Sequence, residues 1–165
     1  MTVEPLAYNL YEPQYPQQLD WTCSACSLAW INRALGIQFA TDEWSAVEYI
    51  GTPDNINAMY GLMDASGSRL VQCLREQGAP AFSYWPSWSQ AMELAAHMPL
   101  LLGGVGWNHW VGVRSGNGSW LFLANSAEGW MGVTDVLDQT QWNALGPFAA
   151  VPVPLLRHFP TVAAQ

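Results

Sequence analysis

The segment from Thr22 to Gly36, T-C-S-A-C-S-L-A-W-I-N-R-A-L-G, limits the possible folds more than any other part of the chain. Apolar and small residues recur in it at helical spacing and a glycine closes the run, which predicts an α-helix with Thr22 or Asp20 as its N-cap. Arg33 is the only charged residue of the segment, so the helix has no polar face to turn toward water. We therefore expect this helix to be covered on nearly all sides, at the centre of the fold.

Helical patterns dominate the first part of the chain and strand patterns the second. Further helices are predicted from Thr41 to about Tyr49, from a capping Ser66 or Ser68 to Gly78, from Trp88 to His97, and over 138–146, with a loop over 51–57. Strand candidates lie at 81–85, 100–106, 109–114, 120–125 and 147–153. This order is typical of an α+β domain, in which the N-terminal helical part packs on a C-terminal antiparallel sheet. We expect one domain over 1–165, with 1–16 extended and 154–165 as a loosely ordered tail.

The charge of the chain excludes several kinds of partner. The net charge is −8 and the sequence contains no lysine, whereas nucleic acid and anionic membrane surfaces are bound by basic proteins. The longest apolar stretch, 98–107, is too short and too rich in glycine to span a bilayer, and the N-terminus lacks the basic start and apolar run of a signal peptide. We therefore expect a soluble, cytoplasmic protein that binds neither nucleic acid nor membranes.

The three cysteines indicate free thiols rather than a disulfide framework, because their number is small and odd. Cys73 lies beside Val71 and Leu74 in a predicted helix, which favours a packed core position. Cys23 and Cys26 are three residues apart, but a zinc site needs two more ligands, and the sequence has no second C-x-x-C and no paired histidines. No metal or cofactor is expected.

The two strands at 109–114 and 120–125 are joined by S-G-N-G-S, a strong hairpin signal. If the turn is centred on Asn117, His109 and Asn125 face each other across the hairpin, close enough for a hydrogen bond. A two-residue turn would instead place Ser126 opposite His109. A thiol at a helix N-terminus is the natural partner of a histidine oriented in this way, because the helix dipole favours the thiolate. The three residue types are those of a nucleophile, its base and the residue that orients the base.

The motifs around these residues resemble the papain-like cysteine peptidases. N-H-W-V-G-V at 108–113 resembles the papain strand N-H-x-V-x-V, and A-N-S-A-E-G-W-M-G at 124–132 resembles the stretch N-S-W-G-x-G-W-G. The cysteine helix is more similar to the C39-like peptidase domains of bacteriocin exporters, which read Q-x-x-x-x-x-C-G-x-A-S-L-A-M. The order of glutamine, cysteine helix, histidine strand and asparagine strand matches throughout, and the resemblance covers roughly 17–153.

The resemblance implies a role for each matching residue. Cys23 would be the nucleophile, His109 the general base and acid, and Asn125 the residue that orients it. Gln17, six residues before Cys23, would donate to the oxyanion together with the Cys23 backbone amide. A peptide or protein would be the substrate, with Trp21, Ser24, Trp107 and Trp110 as candidate contacts; core packing explains most tryptophans equally well.

Three positions depart from the family pattern. Ser24 replaces the usual glycine after the nucleophile, and Ala127 stands where papain has a tryptophan that shields the histidine–asparagine bond, a place that Trp110 or Trp130 could take. Asn125 is the choice of papain, whereas the exporter domains mostly have aspartate. These departures keep open a degenerate papain-like domain that binds peptides or regulates a partner without turnover.

Two further alternatives concern the cysteine pair. Cys26 could be the nucleophile, since papain uses the second cysteine of C-G-S-C-W, but the residue six positions before it is Asp20, which cannot donate when ionised. W-T-C-S-A-C also resembles the W-C-x-x-C of thioredoxins, although no strand-like sequence precedes it and redox chemistry would leave His109 and Asn125 unexplained. The same triad serves peptidases, amidases, deamidases and acyl transferases, so reaction at an amide is better supported than the identity of the acceptor.

Overall fold

The computed structural model describes residues 9–127, 129 and 132–154. The helices are α1 Cys23–Ala34, α2 Glu43–Ile50, α3 Ser68–Glu76, α4 Trp88–Ala95 and α5 Gln139–Leu145. The strands are β1 Ile56–Asn57, β2 Gly61–Leu62, β3 Leu100–Gly104, β4 His109–Gly116, β5 Leu121–Ala124, β6 Val136–Leu137 and β7 Phe148–Pro152. None of these helices is long and apolar enough to cross a membrane.

Helix α1 occupies the centre of the fold, as its sequence predicts. Every residue of α1 except Arg33 is buried. The Arg33 guanidinium donates to the carbonyls of Thr41 and Pro13 and lies 3.4 Å from the Glu12 carboxylate, so the one charge of the helix is held by its surroundings. Gly36 follows the helix at φ 73°, a left-handed conformation that glycine adopts without strain.

A five-stranded antiparallel sheet supports α1 on one face. Its strand order is β6-β5-β4-β3-β7. On the α1 face, the ring of Trp30 lies so close to Gly112 that an added Cβ would sit 2.3 Å from it, and only glycine fits there. Alternate residues of β3 point to opposite faces, so that Leu101 packs in the α1 core while Leu100 and Leu102 pack in a second core with α4 and α5. The α+β fold with a central cysteine helix on an antiparallel sheet is thus confirmed.

The N-terminal segment that precedes α1 contains turns but neither helix nor strand over residues 9–22, and it lies along the helix. Asn9 donates to the Ala34 carbonyl, and the Trp30 indole donates to the Glu12 carbonyl. The expected tail from 154 onward and the first eight residues lie outside the described residues, except for Pro154 itself.

Three local predictions are wrong. Residues 51–57 are not all loop, because Ile56–Asn57 pairs with Gly61–Leu62 as a two-residue ladder. Residues 81–85 form no strand; only Tyr84 bridges the sheet, through Ala150. Helix α3 is preceded by Gly67 in a left-handed conformation rather than capped by a serine side chain, since the Ser66 and Ser68 hydroxyls bond the Asp64 carboxylate instead.

Candidate active site

Cys23 is the first residue of α1, and its sulfur faces the start of β4. The Cys23 Sγ accepts a hydrogen bond of 3.3 Å from the backbone N–H of Trp110, the residue that follows His109. Only 7% of Cys23 is exposed. The packing of α1 on β4 therefore brings the predicted nucleophile beside the predicted base.

His109 and Asn125 are joined by a buried hydrogen bond. The distance from His109 Nε2 to Asn125 Oδ1 is 2.8 Å. The Asn125 Nδ2 donates to the carbonyls of Val133 and Thr134 at 3.3 and 3.1 Å, which turns Oδ1 toward the histidine. Since Oδ1 only accepts, His109 Nε2 carries the proton, and Nδ1 is the basic nitrogen of the neutral ring.

The register of the β4–β5 hairpin differs from the predicted one, although the predicted hydrogen bond between His109 and Asn125 is present. Gly112 pairs with Ala124, so Asn125 lies across from Val111 and contacts His109 diagonally rather than directly. The turn spans residues 117–120, and the register shifts between Val113 and Ser115, at Arg114. The Arg114 side chain leaves this irregularity to donate to the carbonyls of Leu10 and Glu12. The prediction of direct opposition is therefore wrong because the turn spans 117–120 instead of being centred on Asn117. The bulge at Arg114 moves the pairing back by only one residue.

Trp107 covers the imidazole. The ring centroids of Trp107 and His109 are 4.8 Å apart with the planes at 73°, and Trp107 also packs edge-on against Phe148. Ala127 provides no aromatic cover, and Trp130 lies outside the described residues. Sequence reasoning did not assign this role to Trp107, because Trp107 lies in the turn between β3 and β4, where no strand period relates it to His109.

Burial sets the protonation states of Cys23 and His109. Desolvation raises the pKa of the Cys23 thiol to about 11, against the lowering effect of the N–H groups of Trp110, Ser24 and Cys23. Desolvation lowers the pKa of His109 to about 4, against the raising effect of its bond to Asn125. Near neutral pH, both groups are therefore uncharged.

Gln17 is anchored to the residue that follows Asn125. Its backbone N–H donates to the Ser126 carbonyl at 3.0 Å, and its Oε1 accepts from the Ser126 hydroxyl at 2.8 Å. Its Nε2 donates to the Leu19 carbonyl at 2.7 Å. An amide nitrogen carries two hydrogens, so one further bond can be donated from Nε2. The neighbouring Gln18 is exposed, and its backbone N–H donates to the Glu43 carboxylate.

A cavity opens beside Cys23. Its walls are Asp20 and Trp21 on one side, the β1–β2 hairpin over 58–62 on another, and Asn108 with Trp110 from the start of β4. Asp20 also lines an adjoining groove that contains Gln17 and Asn125. The hairpin wall carries no family motif and was not identified from the sequence.

Of the four predicted substrate contacts, Trp21 and Trp110 line this cavity. Ser24 and Trp107 do not, because their exposed fractions are 0% and 1%. Both are interior residues, and the expectation that they contact substrate does not fit their burial.

The second cysteine of the pair lies deeper in the helix. Cys26 is 3% exposed, does not line the cavity, and has a pKa raised to about 12, mainly by burial. Cys23, Cys26 and Cys73 are all free thiols. Cys73 is fully buried in the α1 core. The described part of the chain holds no group of three or more histidine, cysteine or acidic side chains arranged to bind a metal ion.

Solved structures of similar fold include two peptidase domains. The chain is similar to a double-glycine motif protease from an AMS/PCAT transporter, crystallised with the leader peptide, at a TM-score of 0.66 and 14% identity over 93% of this chain and 99% of that one. It is also similar to a C39-like peptidase from Bacillus anthracis, at a TM-score of 0.58 and 12% identity over 93% and 98% of the two chains. No protein-family model and no curated protein matches the sequence. The chain thus has the fold of C39-like peptidase domains, in agreement with the resemblance of its motifs.

Proposed function

We propose that this protein is a papain-like cysteine hydrolase that cleaves an amide bond of a peptide or protein through Cys23, His109 and Asn125. The observation that carries the proposal is the buried 2.8 Å hydrogen bond from His109 to Asn125. The thiol of Cys23 lies next to it and accepts a hydrogen bond from the backbone N–H of Trp110, the residue that follows His109. A nucleophile, a base with a defined tautomer and an orienting amide are the elements of an acyl-transfer site.

The reaction begins with attack of the Cys23 sulfur on the substrate carbonyl carbon. Because the thiol is protonated at rest, its proton passes to His109 Nδ1 as the S–C bond forms, and Nε2 keeps its proton on Asn125. The imidazolium then gives its proton to the departing amine, and a thioester to Cys23 remains. Water, deprotonated by the same nitrogen, hydrolyses the thioester and restores the thiol.

The negative charge on the carbonyl oxygen requires donors in both addition steps. The backbone N–H of Cys23 lies at the N-terminus of α1, where helix amides are not used within the helix. The second hydrogen of Gln17 Nε2 is the other donor in this proposal, and Ser126 fixes the orientation of that amide through Oε1.

A peptide substrate is favoured by two observations. The structure at TM-score 0.66 is described as a protease in complex with a leader peptide. In this chain the cavity beside Cys23 and the groove beside Gln17 adjoin at Asp20, which gives an extended segment a continuous course past the sulfur.

Cleavage of internally quenched peptides tests the proposal, with Cys23→Ala and Cys26→Ala as a matched pair in the same helix. We expect Cys23→Ala to abolish turnover and Cys26→Ala to keep it, because Cys26 lies outside the cavity. Turnover that survives in Cys23→Ala but not in Cys26→Ala would overturn the assignment of the nucleophile.

A second candidate function is peptide binding without turnover. It is favoured by the neutral, buried state of the Cys23 thiol and by the bond from the Gln17 amide to the Leu19 carbonyl. This candidate predicts peptide binding, measured by fluorescence anisotropy, that is equal in wild type and Cys23→Ala, with no cleavage by either. Cleavage by the wild-type protein excludes it.

A further inference from the structure

We propose that the cavity beside Cys23 selects a substrate residue with a cationic side chain, and that Asp20 is the residue that determines this preference. The inference rests on the proposed function, since it assigns a charge preference to the same cavity. It concerns the residue of the peptide that lies against the Asp20 and Trp21 wall, next to the bond that is cut.

Among the described residues that line the cavity, Asp20 is the only charged one. It is exposed, and among the described residues its carboxylate forms no hydrogen bond or ion pair. The nearby Glu43 differs, because its carboxylate accepts from the Gln18 N–H and the Thr22 hydroxyl and is used to hold the loop before α1. Asp20 is therefore available to a ligand, whereas Glu43 has a structural role.

No cation of the described chain is available to neutralise this wall. Arg33 and Arg114 donate to backbone carbonyls of the N-terminal segment. Arg69 donates to the carbonyls of Ile50 and Tyr49, and Arg75 donates to that of Ala81. The carboxylate of Asp20 on the wall and the net charge of −8 over the whole sequence both favour the approach of a cation.

The aromatic walls suit the stem of such a side chain. Trp21 and Trp110 line the cavity with Asp20, and Trp21 is held edge-on by Trp44 at a centroid distance of 6.5 Å. A tryptophan face attracts a guanidinium or ammonium group and also covers its methylene carbons. A carboxylate beside tryptophan rings is thus complementary to lysine or arginine and unfavourable to glutamate.

Charged methanethiosulfonates measure this preference without any need for turnover. The Cys23 sulfur forms a mixed disulfide with the trimethylammonioethyl or the sulfonatoethyl reagent, and methanesulfinate leaves in both cases. Intact mass gives the rate of each modification, and peptide mapping shows that it occurs at Cys23. The ratio of the two rates reports the sign of the local potential, because the thiolate fraction is the same for both reagents and cancels in the ratio. A unit charge roughly 8 Å away in a water-like dielectric changes each rate by about 2.4-fold, in opposite directions for the two reagents, so Asp20→Asn should lower the cation-to-anion ratio about fivefold to sixfold.

Glu93→Gln is the matched control, because Glu93 is exposed on α4, does not line the cavity, and gives the same change of net charge. We expect this variant to leave the ratio unchanged, and we expect 1 M salt to reduce the effect of Asp20→Asn. An equal ratio in wild type and Asp20→Asn, or a Cys23 that neither reagent reaches, would overturn the inference.

Quenched peptides with lysine, glutamine or glutamate at each position around the bond give the second measurement. We expect kcat/KM to favour lysine over glutamate at one position by about fivefold or more, and Asp20→Asn to remove the preference. Cleavage without any charge preference would contradict the role of Asp20 alone. If no peptide is cleaved but the labelling ratio at Cys23 still depends on Asp20, the proposed hydrolase function is contradicted, whereas the charge preference of the cavity remains supported.

Discussion

Replacement of Ser24 by alanine should stabilise the protein, although most buried substitutions destabilise. Ser24 is 0% exposed, and its hydroxyl has no hydrogen-bond partner among the described residues. A buried hydroxyl without a partner costs about 1–3 kcal/mol, because the bonds to water that it gives up are not replaced. Alanine removes this cost, and in the first turn of α1 it also has a helix propensity better by about 0.5 kcal/mol.

The net gain is reduced by the contacts that the lost oxygen atom made, so we expect Ser24→Ala to raise the free energy of unfolding by about 1–2 kcal/mol. For a chain of this size, that corresponds to an increase of about 2–8 °C in Tm. Urea denaturation followed by tryptophan fluorescence gives the free energy, and calorimetry gives the Tm.

Ser27→Ala is the matched control in the same helix. Ser27 is also fully buried, but its hydroxyl donates to the Cys23 carbonyl at 2.9 Å. Its loss should lower the stability by about 0.5 kcal/mol, since a bond worth about 1 kcal/mol is partly offset by helix propensity. A Ser24→Ala protein that is destabilised as much as Ser27→Ala would refute the reasoning.

Three further predictions concern the residues around the base. Asn125→Ala should lower the free energy of unfolding by about 3 kcal/mol, because it removes the hydrogen bond to His109 and the bonds to two carbonyls, and it should also slow alkylation of Cys23. Asn32→Ala, at another buried and hydrogen-bonded asparagine, should cost similar stability without slowing alkylation, and equal alkylation rates in both variants would contradict the orienting role of Asn125. The unfolded chain protonates His109 near pH 6.5 and the folded one only near pH 4, so the stability contributed by the neutral imidazole should be complete above pH 6.5 and fall by about 3 kcal/mol toward pH 4. Denaturation curves of His109→Gln should lack this pH-dependent loss. A pH slope that is the same in wild type and His109→Gln would argue against a neutral, buried imidazole. Ser126→Ala should lower kcat about tenfold with little change in KM, because it frees the side-chain amide of Gln17 to rotate. Gln17→Ala should lower kcat about a hundredfold. If Ser126→Ala changed KM alone, Ser126 would not act through the oxyanion donor.

The central helix could be predicted from the sequence because its signal is local and redundant. The segment 22–36 contains a single charged residue and ends at Gly36, which leaves few alternatives to a buried helix. The structure has such a helix at Cys23–Ala34. The same reasoning failed for Ile56–Asn57 and for 81–85, since strands of two residues and single bridges depend on the partner strand rather than on their own composition.

The hairpin register shows why a correct contact can follow from a wrong premise. The turn spans 117–120 instead of being centred on Asn117, which moves the pairing away from the predicted register. The irregularity at Arg114 moves it back by one residue and accompanies bonds to the carbonyls of Leu10 and Glu12, about a hundred residues away in sequence, so no local pattern signals it. Asn125 still reaches His109 because diagonal neighbours on one face of a sheet remain within contact distance.

The motifs predicted that Cys23 and His109 lie close together, but they did not predict the surroundings of these residues. The thiol of Cys23 lies next to the His109 strand, as the motifs suggest. The cavity wall at 58–62 and the unpartnered carboxylate of Asp20 lie in segments that carry no periodic signal. Ser24 was expected to contact substrate, although helix packing buries it. Loop positions relative to a site are decided by tertiary packing, which a single sequence records only weakly.

The rate of alkylation of Cys23 by iodoacetamide at neutral pH, in wild type and in His109→Ala, tests the central claim most directly. Mass spectrometry of the intact protein gives the rate, and peptide mapping separates Cys23 from Cys26. The account predicts modification at Cys23 that is at least tenfold slower in His109→Ala, because general-base assistance contributes about a hundredfold or more to such reactions. A Cys23 that does not react in the folded wild-type protein, or that reacts equally fast without His109, would contradict it.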